Sequence, residues 1–244
     1  MEIELDLVRR SAIKAIIYQV DMIFMMTMPF LFYAACVVVI CAPVVGTFFI
    51  NKVTTPLRLL IVLLWVWCFA GVAENYTGMH HIKNLWISQI INVVELFLFT
   101  WIYWHWRLSK RNGFILWGAF ILYAMFWIVA KMTFEPITVF DDVTSGILKL
   151  YQICFSCIVI VTVFKEDSKI PLWREPKFLV TVAFLLYASS TFFLFSLATP
   201  LLQFSEGIFR SLYNINWSMI ISSDLIFLYA LFCDSKIQKI AISA

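Results

Sequence analysis

The chain has 244 residues, of which 63% are hydrophobic and 14% are charged, whereas soluble domains average about 45–50% apolar and about 25% charged residues. This excess of apolar residues excludes a water-soluble globular protein. The net charge of +3 is small and the basic residues lie between apolar segments, which argues against nucleic-acid binding. Composition therefore predicts an all-α membrane protein in contact with the lipid bilayer.

The first segment, residues 1–21, is predicted to be an amphipathic helix on the membrane surface. Its apolar residues recur at helical spacing, and its basic residues lie largely elsewhere. A cleaved signal peptide is not favoured, because acidic residues crowd the start and no small-residue cleavage site is evident. The apolar positions are Leu5, Val8, Ala12, Ile16 and Val20.

Seven apolar stretches follow, each about as long as the roughly 20 residues that a helix needs to cross a bilayer. The loops between them are short, so we predict one seven-helix transmembrane domain over residues 22–235 and a cytoplasmic tail over 236–244. The predicted spans are 28–50, 57–74, 85–106, 113–131, 145–164, 177–197 and 212–233.

Lysine and arginine are unevenly divided between the two sides of these spans, and the richer side is normally cytoplasmic. One side carries eleven and the other seven. We therefore predict an amino terminus outside and a carboxyl terminus inside. The eleven are Lys52, Arg58, Arg107, Lys110, Arg111, Lys165, Lys169, Arg174, Lys177, Lys236 and Lys239.

A weak internal similarity relates spans 3 and 7. Residues 84–97 and 214–227 align without gaps and share Asn, Ser, Ile, Ile and Phe, and Pro56 and Pro176 lead into spans 2 and 6. This pattern would suit a 3+1+3 repeat, a duplication found in transporters as well as receptors.

Polar residues form stripes in spans 3 and 5. In span 3 the stripe is Asn84, Ser88, Asn92 and Glu95, at spacings that place them on one helix face. In span 5 the corresponding stripe is Ser145, Lys149, Gln152 and Ser156. Both stripes occupy the half of the helix that is predicted to be outer, and both stop about halfway.

Spans 6 and 7 repeat this asymmetry. Tyr187 and its following serines and threonine lie in the outer half of span 6, and Asn214, Asn216 and Asp224 lie in that of span 7. The inner halves are almost wholly apolar. Ionisable groups inside a membrane are costly, so each is a functional hypothesis.

Two interpretations of the stripes remain open. In the first, spans 3, 5, 6 and 7 line an outward-facing polar pocket with an apolar floor, whose acids favour a small polar or cationic ligand. In the second, the polar groups satisfy one another, with Glu95 and Lys149 as an ion pair. The predicted ligand-binding residues are Ser88, Asn92, Glu95, Lys149, Gln152, Tyr187, Asn214 and Asp224.

Catalytic and metal-binding motifs are not evident. Glu74, His80, His81 and Asp142 are the nearest approach to a zinc site, but adjacent histidines point apart on a helix. The pair Cys154 and Cys157 lies on an apolar helix, with no second pair nearby. The sequence therefore predicts no cofactor and no metal, and it does not favour an enzyme.

The chain resembles a group of small, uncharacterised seven-span integral membrane proteins of bacteria, notably Bacteroidota. The resemblance lies in Asn84-Leu-Trp86 leading to Asn92 and Glu95-Leu-Phe97, in Pro176-x-Phe178 leading to 187–193, and in Tyr213-Asn-Ile-Asn216. It implies a bacterial inner membrane location and carries no functional residues with it.

The favoured function is a receptor-like or sensory protein for signal transduction, in which the pocket binds a ligand and the basic inner loops contact a cytoplasmic or membrane protein partner. A small-solute or proton-coupled transporter is the first alternative, but it needs a polar path through the apolar inner half. A structural subunit of a membrane complex is the second alternative.

Overall fold

The computed structural model describes residues 30–80, 85–106, 110–137, 142–166, 170–204 and 206–243. Within these ranges the regular structure is helical, without strands. Seven long helices and one short 3-10 helix (Leu172–Arg174) follow one another along the chain. The long helices are α1 (Phe30–Phe49), α2 (Thr55–Met79), α3 (Leu85–His105), α4 (Lys110–Thr133), α5 (Asp142–Lys165), α6 (Pro176–Phe204) and α7 (Glu206–Ser243).

Each long helix contains a stretch long and apolar enough to cross a membrane, and the part of the chain that the structure describes holds seven such stretches. Large apolar side chains such as Phe30, Phe114, Leu122 and Met132 are more than two-thirds exposed. A soluble protein rarely exposes so much apolar surface, whereas lipid covers it readily. The prediction of an all-α protein with seven membrane-spanning helices is confirmed, and the chain is a multi-pass integral membrane protein.

The helices form a ring with one helix outside it. Contacts run from α1 to α2, α2 to α3, α3 to α5, α5 to α6 and α6 to α7, and α7 closes the ring against α1. The remaining helix, α4, packs on α3 and α5 from outside. The ring therefore leaves an interior that six helices share.

Helix α7 extends beyond its predicted span. The prediction ended that span at residue 233, whereas the helix runs from Glu206 to Ser243. Residues 234–243 contain neither proline nor glycine to stop a helix, so much of the predicted tail is helical. The predicted amphipathic segment 1–21 lies outside the described residues, and the membrane orientation and the 3+1+3 repeat stay predictions.

The two halves of the ring differ in packing. The half of the ring in which α1, α3, α5 and α7 end and α2 and α6 begin is called the closed half. The opposite half is called the open half. The closed half is filled by buried apolar side chains, as the apolar inner halves of the spans predict. Its centre includes Leu57, Leu60, Ile61, Leu64, Leu96, Phe99, Tyr103, Val180, Phe184, Phe227 and Leu231.

One buried acid in the closed half joins α7 to the start of α2. Asp234 Oδ2 accepts a hydrogen bond from the backbone N–H of Thr54, with 2.7 Å between the atoms. The first N–H groups of a helix have no partner within the helix, and Pro56 in the first turn has none to satisfy. Asp234 therefore fixes the start of α2 against the end of α7.

A second acid fixes the connection between α4 and α5. Glu135 accepts hydrogen bonds from the backbone N–H groups of Val143 and Thr144, from the Thr144 hydroxyl and from Lys131. Burial opposes the charged form of Glu135, but these donors outweigh it and hold the pKa of the carboxyl below its usual value. The ionised carboxylate therefore caps the first turn of α5.

Candidate functional site

The open half of the ring contains a cavity of about 810 Å³. This volume is in the range of small-molecule sites. The cavity reaches the exposed Asn75 near the end of α2 and extends inward to Glu95 and Asp224 near the middle of α3 and α7. It therefore opens at one end of the bundle and stops about halfway through.

Glu95 is the centre of a buried polar network beside this cavity. Its side chain is 1% exposed, and Lys149 Nζ lies 2.5 Å from Glu95 Oε1. Gln152 Nε2 donates to the same oxygen across 2.6 Å. The other oxygen, Oε2, accepts from Trp67 Nε1 at 3.0 Å and from the Tyr187 hydroxyl at 3.3 Å. Four donors from three helices, α2, α5 and α6, thus converge on one carboxylate of α3.

Lys149 is held between this carboxylate and an aromatic ring. Its ammonium group lies 4.4 Å from the centre of the Tyr187 ring and 3.4 Å from the Tyr187 hydroxyl. A cation over the face of an aromatic ring is attracted by the ring quadrupole. Glu95 and Lys149 therefore neutralise each other, with Tyr187 packed against both.

The polar stripes of α3 and α5 face each other. Asn92 Nδ2 donates to Ser145 Oγ across 2.7 Å, one turn from the ion pair of Glu95 and Lys149. The interpretation that the polar groups satisfy one another therefore holds for the pairs Asn92–Ser145 and Glu95–Lys149 of these stripes. The cavity exists as well, but it lies beside the paired stripes, and Lys149 is the only α5 residue that lines it among those described.

Asp224 differs from Glu95 in its surroundings. It lines the cavity from α7 and is 3% exposed. Within the described ranges the structure gives its carboxylate no hydrogen bond and no ion pair. Glu74 also lines the cavity, nearer the open end. Because Lys149 already balances Glu95, the described lining carries an excess of acidic groups.

A layer of aromatic rings closes the cavity beneath Glu95. Phe184 stacks edge-on against Phe99 and Phe227, with 5.0 Å between ring centres in both pairs. One turn further into the closed half, the Tyr103 hydroxyl donates to Thr181 Oγ1 across 3.1 Å. All of these side chains are fully buried. In the described helices this layer is therefore closely packed beneath the cavity.

The eight predicted ligand-binding residues fall into two groups. Six of them line the cavity. Gln152 is fully buried and bonds to Glu95 without lining the cavity, and Asn214 also lies outside the lining. The six are Ser88, Asn92, Glu95, Lys149, Tyr187 and Asp224.

Helices α1 and α2 were absent from the predicted pocket, yet both contribute much of its wall. Trp67 is the clearest omission, because its indole N–H reaches Glu95 from α2. On α1 the lining is apolar, so its residues look like lipid-facing ones in the sequence. The α1 residues are Phe32, Ala35, Cys36, Val39 and Ile40, and α2 adds Cys68, Ala70, Gly71, Val72, Glu74 and Asn75.

Metal and redox chemistry receive no positive support from the described residues. No three His, Cys, Asp or Glu side chains within the described ranges are placed to hold a metal ion. His81 and the side chain of Asp142 lie outside that description. All six cysteines are described and carry free thiols, including Cys154 and Cys157.

Comparison of the chain with protein-family models, with curated proteins and with solved structures finds no match. The resemblance to bacterial seven-span proteins and the inner membrane location therefore stay predictions. The function has to be argued from the cavity itself.

Proposed function

We propose that this chain is a receptor-like or sensory membrane protein that binds a small cationic ligand in the cavity of its open half. The observation that carries the proposal is the Asp224 carboxylate, which faces a cavity of ligand size and has no hydrogen bond or ion pair from the described residues. A buried carboxylate without a partner is costly, and a bound cation would offset that cost. The aromatic rings of Trp67, Tyr187 and Trp217 in the same wall also favour a cation.

Ligand binding has a direct physical route to the closed half. Trp67 and Tyr187 line the cavity, pack together with 4.7 Å between ring centres, and both bond to Glu95. Beneath them Phe184 and Phe227 continue the aromatic contacts between α6 and α7. A ligand that displaces either cavity ring changes the packing of α6 against α7, and a partner at the closed half would detect that change.

A transporter is the second candidate. Ionisable residues at mid-membrane depth, here Glu95, Lys149 and Asp224, commonly mark ion or proton pathways. The aromatic layer formed by Phe99, Phe184 and Phe227 argues against it, because a transporter needs that layer to open. Flux of the bound compound into protein-containing liposomes would favour the transporter over the receptor.

Native mass spectrometry of the purified protein tests the proposal. We expect the wild type to retain a small molecule that Asp224→Asn loses. The matched control is Asp234→Asn, which makes the same change at a similarly buried acid of α7 in the closed half. Its amide oxygen can still accept the Thr54 N–H, so it should keep the ligand. No adduct in the wild type, or equal adducts in all three proteins, would contradict the proposal.

A further inference from the structure

The cavity also approaches the outer surface of the bundle between α1 and α2. Near their connecting loop these helices are joined, because Trp65 Nε1 donates to Thr47 Oγ1 across 3.1 Å. There a Cβ on Gly46 would stand 3.2 Å from Ile61. Towards the open half the facing sides of both helices line the cavity instead.

The side chains at this position face both the cavity and the exterior. Ile40 on α1 and Val72 on α2 line the cavity and are 48% and 54% exposed, whereas the deeper lining residue Asp224 is 3% exposed. A Cβ on Gly71 would meet no neighbouring side chain within 4 Å. The described side chains therefore leave the space beside Gly71 unfilled, next to the half-exposed Ile40 and Val72.

This opening lies within the membrane-spanning part of both helices, Phe30–Phe49 and Thr55–Met79. On the facing helix, Ile40 is ten residues after Phe30, which places it about 15 Å from the start of α1. Half of a typical hydrocarbon core is about 15 Å thick. The opening therefore faces lipid chains rather than water.

The chemistry of the wall changes between the opening and the interior. Near the opening the α1 lining, from Phe32 to Ile40, is wholly apolar. At the inner end stand the Asp224 carboxylate and the rings of Trp67 and Tyr187. One molecule that matches both parts has a hydrocarbon chain and a positively charged head.

From this arrangement we infer that the ligand is a cationic amphiphile, a single hydrocarbon chain with an amine or ammonium head, which enters from the bilayer between α1 and α2. The head pairs with Asp224 beside Trp67 and Tyr187. The chain lies against α1 and passes Gly71. This inference rests on the proposed function and names its ligand class and entry route.

Photolabelling in phosphatidylcholine nanodiscs tests the inference. The probe is dodecylammonium that carries a diazirine near the end of its chain, and labelled residues are identified by mass spectrometry of peptides. Two comparison probes are a butylammonium with the same photoreactive group and a dodecylsulfonate. We expect dodecylammonium to label cavity-lining residues of α1 and α2 several-fold more than either comparison probe does.

The variants separate the route from the head group. Gly71→Phe fills the opening and should reduce labelling several-fold. Gly71→Val fills less of it and should reduce labelling less strongly; it replaces the phenylalanine variant if that variant does not fold. The matched control is Gly118→Phe on α4. A Cβ at Gly118 also meets no side chain within 4 Å, but Gly118 does not line the cavity. Its labelling should equal that of the wild type. Asp224→Asn should lose the preference for the ammonium head.

Other results would overturn the inference. Equal labelling by butylammonium with no effect of the Gly71 variants would refute the lateral route and the chain, and would leave the proposed cavity function standing. Equal labelling by the sulfonate would refute the cationic head. If no probe labels the cavity while the wild type retains another molecule in native mass spectrometry, the inference alone fails. If neither labelling nor a retained molecule is found, the proposed function fails with it.

Discussion

Replacing Glu95 with glutamine removes the charge that neutralises Lys149 inside the bundle. Both side chains are 1% exposed, and the lysine ammonium lies 2.5 Å from the carboxylate. Glutamine keeps one acceptor oxygen for Gln152 or Trp67, but it offers no negative charge. Lys149 would keep its contact with Tyr187 and lose its counter-ion.

The expected cost follows from that burial. Removing one partner of a buried ion pair destabilises a protein by about 3–5 kcal/mol, which corresponds to a roughly 100- to 5,000-fold increase in the unfolding constant. Removing both charges is often neutral. We therefore expect the double variant Glu95→Gln/Lys149→Met to recover at least about 2 kcal/mol of the loss.

The assay is reversible unfolding in mixed micelles, followed by tryptophan fluorescence. The matched control is Glu166→Gln, which breaks the 2.6 Å pair with Lys177 at a side chain that is 50% exposed. Water screens the half-exposed Glu166, although Lys177 is 8% exposed, so this variant should lose less stability than Glu95→Gln does. If Glu95→Gln is no less stable than Glu166→Gln, or if the double variant is no more stable than Glu95→Gln, the account of the buried pair is wrong.

Three further predictions concern the frame around the cavity. Because the pKa of Glu135 is lower in the folded chain than its ordinary value of 4.5, its contribution to stability is complete above that value and is lost as pH falls through the folded pKa. The midpoint temperature of thermal unfolding should thus fall more steeply between pH 7 and pH 3 for the wild type than for Glu135→Gln. Parallel curves of midpoint temperature against pH would contradict this. Phe184→Ala removes a ring from the aromatic layer and should lower the free energy of unfolding in micelles by about 3–5 kcal/mol. Phe193→Ala, at an exposed site on the same helix, should lower it far less. Equal losses would refute a packed layer. Asp234→Ala leaves the Thr54 N–H without its acceptor and should cost about 1 kcal/mol in unfolding free energy, while Asp234→Asn should cost less; the reverse order would show that Asp234 does not act as a cap.

Much of the fold follows from the sequence for a simple physical reason. A helix that crosses a bilayer must satisfy its own backbone hydrogen bonds and needs about 20 apolar residues, so length and hydropathy alone locate it. The predicted spans agree with the observed helices, apart from extensions such as that of α7 to Ser243. The buried polar faces of α3 and α5 also followed from the sequence, because helical spacing places Ser145, Lys149 and Gln152 on one side.

The position of the cavity did not follow from the sequence. Polar stripes indicate which faces turn inward, but they do not show whether two stripes meet each other or border a space. Here Asn92 meets Ser145 and Glu95 meets Lys149, and the space lies beside these pairs, towards α1, α2 and α7. Its wall on α1 is made of residues such as Val39 that no composition rule separates from lipid-facing ones.

The bond from Trp67 to Glu95 is a second feature that could not be predicted from the sequence. Tryptophan is common at the interfaces of membrane proteins, and nothing in its position along α2 indicates a bond to Glu95. Only the packing of α2 against α3 brings the indole N–H within 3.0 Å of the carboxylate. Long-range pairs of this kind depend on which helices are neighbours, and the order of spans along the chain does not determine that.

The rate of thiol modification at Cys68 is the measurement that tests the central claim most directly. Cys68 and Cys233 are both 6% exposed, but Cys68 lines the cavity from α2 whereas Cys233 lies in the closed half. Two variants that each keep one of these cysteines and replace the other five with alanine would be treated with a cationic and with an anionic methanethiosulfonate. An open cavity in which Asp224 has no partner among the described residues predicts that Cys68 reacts faster than Cys233. It also predicts that the cationic reagent reacts faster with Cys68 than the anionic one, and that Asp224→Asn removes this preference. Equal rates for the two reagents, or a Cys68 as unreactive as Cys233, would contradict an accessible cavity that selects cations.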